Sequence, residues 1–84
     1  MTRGLWDVEF KGTFVASLGT VWVFRAVCDD VAFTAGWDVD SGWMHDRIES
    51  TRAGVNEGTE AARIVAEAMP ALRRALVMAL GGEG

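Results

Sequence analysis

The nine residues Thr20–Cys28, TVWVFRAVC, restrict this chain more than any other stretch. β-Branched and aromatic side chains fill it, and these favour a pleated backbone. A strand with one wet face alternates apolar and polar residues. Here Val21, Val23 and Val27 alternate with Trp22, Phe24, Ala26 and Cys28, and only Arg25 breaks the first set. Both faces are therefore apolar along most of the strand. Such a strand belongs inside a sheet, and something must cover each side of it.

The flanking residues supply the rest of an antiparallel meander. Trp6, Val8 and Phe10 alternate with Asp7, Glu9 and Lys11, the period of two that marks a half-buried strand. Lys11-Gly12 reads as a tight turn, because glycine tolerates the positive φ of hairpin turns. TFVASL then reads as a strand with Phe14 and Ala16 opposite Val15 and Ser17, and Leu18-Gly19 as a second turn. Asp29-Asp30 breaks the central strand, and VAFTAGW places Val31, Phe33, Ala35 and Trp37 on one side of the next. Connections this short join antiparallel neighbours. The expectation is a three- to four-stranded meander over about residues 5–37.

Beyond Asp38 the period changes. Trp43, Met44, Ile48 and Val55 fall near helical spacing, which predicts a short helix over about residues 41–52, capped by Asp40 or Ser41 and stopped by Gly54. After the loop GVNEG, the segment TEAARIVAEAMPALRRALVMALGG predicts a long helix over about residues 59–80 packed on the sheet. Thr59 or Asn56 would cap it and Gly81-Gly82 would end it. Its apolar stripe is expected to run Ala61, Val65, Ala68, Leu72, Ala75, Leu76 and Ala79, leaving Ile64, Met69, Val77, Met78 and Leu80 outside. Pro70 sits mid-helix, where it removes a hydrogen bond and presses on the carbonyl of Ala66. Strong helix formers on both sides favour one kinked helix over two. The sum is a single small α+β domain over residues 1–84, without repeats or linkers.

Composition limits what such a domain can do. Half of the 84 residues are hydrophobic and 24% are charged, as in folded chains. A chain of this size buries only about 60–65% of its unfolded surface. It must find stability in packing, a partner or a ligand. One cysteine, Cys28, excludes an internal disulfide and fits a reducing compartment. No basic leader with an apolar core opens the chain, so a cytoplasmic location is expected. No apolar run reaches the ~18–20 residues of a membrane span, so no membrane partner is expected. The net charge is −4 and the eight bases are scattered. Without a basic patch, no nucleic-acid partner is expected.

Few residues suggest chemistry. DVDSGWMHDRIE, Asp38 to Glu49, places Asp38, Asp40, Asp46 and Glu49 where a calcium loop keeps oxygen ligands. Gly42 stands where a fifth ligand is needed, and Trp43 where only glycine makes the turn. The segment is expected to be a turn that binds no metal, with Asp38 and Asp40 in the turn and Asp46 and Glu49 on a solvated helix face. Cys28 and His45 could form a nucleophile–base pair only by spatial convergence. Cys28 ends an apolar strand, where cysteine behaves as a small hydrophobe. Zinc needs three or four Cys/His ligands, and two such residues exist. No GxxxxGK phosphate loop is present. No catalytic, cofactor-binding or metal-binding residue is therefore assigned.

Four tryptophans and no tyrosine is the unusual ratio. A core this small rarely hides four indoles, and tryptophan is enriched at energetic anchors of interfaces. Trp22, Phe24, Trp43, Met69, Val77 and Met78 are accordingly expected to form an interaction surface. The functional expectation is a non-enzymatic protein-interaction module, a homodimer that also binds another protein, in the style of a small bacterial or phage accessory or regulatory protein. Two other classes remain. An enzyme or small-ligand protein would use a pocket between sheet and helix holding Cys28 or His45. An acidic mimic of nucleic acid would carry an ordered stripe of carboxylates.

Overall fold

The computed structural model describes residues 5–17 and 19–81. Among these residues five strands precede one helix: β1 (Asp7–Ala16), β2 (Gly19–Cys28), β3 (Val31–Asp38), β4 (Gly42–His45), β5 (Glu49–Ser50) and α1 (Glu60–Gly81). All pairings are antiparallel in the order β1-β2-β3-β4, with β5 also on β3. The chain is an α+β domain, an antiparallel meander with a long C-terminal helix packed on it. Among the described residues no helix is long and apolar enough to cross a membrane.

β1 is one strand rather than two. Lys11-Gly12 does not reverse the chain; the register with β2 shifts between Phe10 and Gly12, leaving Lys11 as the extra residue of a bulge. Gly12 has φ 116°, a conformation open to glycine. The chain runs on because β2 is ten residues long and offers partners along its whole length. The bulge also turns the side chains over. Before it Val8 and Phe10 lie in register with Ala26 and Phe24; beyond it Phe14 lies opposite Val21. Leu18 of the expected second turn is outside the described residues, but Ala16 and Gly19 face each other across it.

The expected short helix over about residues 41–52 is absent. β4, an irregular stretch and β5 occupy that segment, both strands pairing with β3. The cause lies in the turn before it. The Asp38 carboxylate accepts the backbone N–H of Asp40 at 2.7 Å and of Ser41 at 3.4 Å, and Gly42 takes φ 77°. That turn folds the chain back onto the free edge of β3, whose N–H and C=O groups gain partners no helix could provide. Trp37 and Trp43 then meet as a directly opposed pair. Between β4 and β5, the Asp46 N–H still donates to Thr34 O at 3.0 Å.

α1 lies chiefly over β1 and β2. Its Ile64, Ala68, Leu72 and Leu76 are buried against Phe24, Ala26, Phe33 and Ala35 of the sheet. The alanines at the contact allow close approach, while Phe24, Phe33, Ile64 and Leu72 supply about 1.5–3 kcal/mol each on burial. The stripe is rotated from the expected one. Ile64 is fully buried and Met69 is packed on the core, whereas Val65 is only partly buried. Val77, Met78 and Leu80 are exposed as expected. α1 is continuous through Pro70, which is exposed. The backbone carbonyl of Thr59 accepts the Arg63 N–H at 3.0 Å, so the first helical bond starts from Thr59. Gly82 lies outside the described residues.

Candidate interaction surface

Among the described residues no element covers one face of the sheet. α1 lies on the face of Phe24, Ala26 and Cys28; the other face carries the alternate residues of each strand. Opposed residues share a face, and the register sets Phe14, Val21, Val23, Gly36 and Met44 together at one end of it. Phe14 is 54% exposed and Met44 46%. Val21 is only 6% exposed although no helix reaches it, because these neighbours enclose it. Gly36 makes the enclosure possible: a Cβ there would stand 3.0 Å from Val21 Cγ1 and 3.4 Å from Met44 Cγ.

The other end of this face carries charges around Val27, which is 41% exposed. Asp7 and Glu9 project from β1, and Lys11 Nζ is 3.5 Å from Glu9 Oε1. Arg25 donates both guanidinium nitrogens to Glu49, at 2.8 Å each, and Nη1 also reaches Thr34 Oγ1 at 3.3 Å. The hydrogen-bonded fork holds the Glu49 carboxyl below its usual range and raises Arg25. Glu49 is therefore not on a solvated helix face; it straps β5 to β2 across β3.

The expected interaction residues do not form one surface. Phe24 is fully buried beneath α1 and cannot touch a partner. Its place at the centre of the sheet, facing the helix, removes it from the set. Trp22 and Trp43 flank Trp37 in one row across β2, β3 and β4, on the helix side and half-buried. Trp22 stacks on Phe10 at 5.6 Å, and Trp43 lies 5.7 Å from Phe24. Met69 is half-buried on the core. Val77 and Met78, 66% and 74% exposed, line a shallow groove of about 340 Å³ with Arg73 and Arg74. Met78 continues it into a second depression of about 300 Å³ with Val8, Phe10, Ala75 and Ala79. Sequence reasoning missed Phe14 and Met44. Their exposure depends on the bulge at Lys11 and on β4, neither of which periodicity marks.

The remaining features offer little chemistry. Cys28 is opposite Val31 and His45 opposite Ala35, so the register separates them by about 13 Å along β3. Cys28 is buried, and its Sγ lies 3.8 Å from Asp29 Oδ2. His45 is exposed, with Nδ1 2.9 Å from Asp46 O. Among the described residues no three His, Cys, Asp or Glu side chains gather as metal ligands. A surface cleft of about 530 Å³ lies along residues 46–57. Asn56, one of its lining residues, accepts the Ile48 N–H at 2.9 Å and donates to Ile48 O at 2.8 Å. Compared with protein-family models, curated proteins and solved structures, the chain matches none.

Proposed function

We propose that this chain is a non-enzymatic protein-interaction module that associates with a second copy of itself, and through the same surfaces with another protein, in the cytoplasm. The observation that carries the reading is the uncovered sheet face with Phe14, Val23 and Met44 grouped around Val21. An apolar group of this kind on a sheet face is an aggregation hazard for a monomer and a contact for an oligomer. Size points the same way, since a chain of 84 residues gains core that it lacks by burying that face. The buried thiol of Cys28, which is in no disulfide, suits a reducing compartment. Sedimentation velocity between about 1 and 300 µM tests the reading, a range set by the weak-to-moderate affinities of small interfaces. Mass rising with concentration above 9.1 kDa supports it, and a constant 9.1 kDa sinks it.

A further inference from the structure

We infer that association is head-to-tail: the outer ridge of α1 in one copy lies on the open sheet face of the next. This rests on the self-association proposed above and names its two surfaces. The outer side of a surface helix is ordinarily studded with charge of both signs. Here Ala62, Ala66, Pro70, Val77, Met78 and Leu80 are all exposed on α1. From Ala68 to Gly81 the helix carries no acid, and its two charges are Arg73 and Arg74. Neither arginine is ion-paired among the described residues, whereas Arg63 is tied to Glu60 at 2.7 Å. The ridge is therefore apolar toward its C-terminal end and basic one turn earlier.

The open sheet face is divided the same way with the opposite sign. Its apolar end is followed by the row of Glu9 and Arg25 and then by Asp7. Asp7, Glu9 and Glu49 outnumber Lys11 and Arg25 there by one, since Lys11 is paired with Glu9 and Arg25 with Glu49. Spacings agree. Four residues separate Arg73 from Val77, about 6 Å along a helix; two separate Val23 from Arg25, about 7 Å along a strand. Val77 and Met78 seated over Val23 and Met44 thus carry Arg73 and Arg74 to the row of Glu9, with Asp7 a further two residues along the strand. The contact centres on the C-terminal half of the helix, because the exposed Arg63, paired with Glu60, occupies the outer side of its first turns.

Two-fold arrangements fit less well. Pairing two helix ridges in parallel, or antiparallel about Arg73 and Arg74, sets arginines against arginines with no acid between Ala68 and Gly81. Pairing two sheet faces about an axis along the strands brings Asp7 and Glu9 over Glu49 of the other copy. An axis across the strands lays the charged end on the apolar end, unless only the apolar halves overlap and the rest stays wet. A helix footprint of roughly 35 by 12 Å is below the ~800 Å² per partner of a standard interface, so the contact is weak and reversible. A contact between two different surfaces generates a ring or an open chain rather than a closed pair.

Two variants decide it, each checked for an unchanged circular dichroism spectrum. Arg73→Glu with Arg74→Glu alters the ridge; Phe14→Asp alters the face. All three positions are exposed, and because Phe14 also shelters Val21, Phe14→Asp is read only where its melting temperature stays close to that of the parent, with Phe14→Ser as the milder second variant. Each variant alone should associate at least ten-fold more weakly than the parent chain in sedimentation velocity. Mixed one to one they should form a complex of two chains that grows no further, because one intact ridge and one intact face remain. A ridge variant that associates as the parent does overturns the head-to-tail arrangement and leaves self-association standing. A mixture that stays monomeric while the parent associates also overturns it. A parent chain that never exceeds 9.1 kDa removes self-association itself.

Discussion

Replacing Ile64 or its neighbour Val65 by alanine reads the rotation of α1 directly. Ile64 is fully buried beneath the helix, and Val65 is partly exposed beside it. Burying isoleucine and then truncating it to alanine costs about 2–5 kcal/mol, part lost transfer and part residual cavity. Alanine returns a few tenths of a kcal/mol in helix propensity, so about 3 kcal/mol is expected for Ile64→Ala. Val65→Ala removes two methyl groups worth about 0.8 kcal/mol each when fully buried. At partial burial, and with a similar propensity gain, the net loss is about 0.5 kcal/mol. In a domain of this size 1 kcal/mol moves the melting temperature by about 4–8 °C. Ile64→Ala should therefore melt about 12–24 °C lower and Val65→Ala within a few degrees of the parent. Urea denaturation gives the same comparison, with a midpoint shift of about 2–3 M for Ile64→Ala at a slope near 1 kcal/mol/M. Adjacent helical residues are about 100° apart. If Val65→Ala proves the more damaging, α1 faces the sheet by the stripe that periodicity alone gives, and the packing described above is wrong.

Pro70→Ala should stabilise the domain by about 1–3 kcal/mol, since it restores an N–H inside a continuous helix and removes the press on Ala66 O; a lower melting temperature would show that the ring itself is needed. Asn56→Ala removes both bonds to the Ile48 backbone and should cost about 2 kcal/mol, with faster amide hydrogen exchange at Ile48 as the local sign. The Glu49 carboxyl should titrate below its ordinary 4.5 in a carbon-detected NMR experiment and return toward that value in Arg25→Met. Because its folded value is depressed, the contribution of the Arg25 fork is present above the unfolded value and is lost as pH falls through the folded one. An unchanged midpoint in Arg25→Met would mean that the fork is not formed in solution.

The sequence by itself determined the class of this protein. Thr20–Cys28 had to be a central strand, Asp29-Asp30 had to break it, and residues from Thr59 onward had to be a long helix. These signals are local: β-branched runs, turn residues and caps act within a few positions, and nothing distant outweighed them. The turn at Asp38 and the burial of Cys28 were legible for the same reason. Only tertiary structure decided which side of α1 faces inward, because a helix with apolar residues on most of its circumference takes its rotation from the sheet it meets. It also turned residues 42–50 into edge strands, since the free N–H and C=O groups of β3 outweigh a weak helical period. Lys11-Gly12 became a bulge because β2 continued past it. Of the candidate surface, Val77 and Met78 were readable along the chain; Phe14 and Met44 were not. Their place on the open face follows from the bulge and from β4, and both are set by pairing between strands that sequence period does not encode.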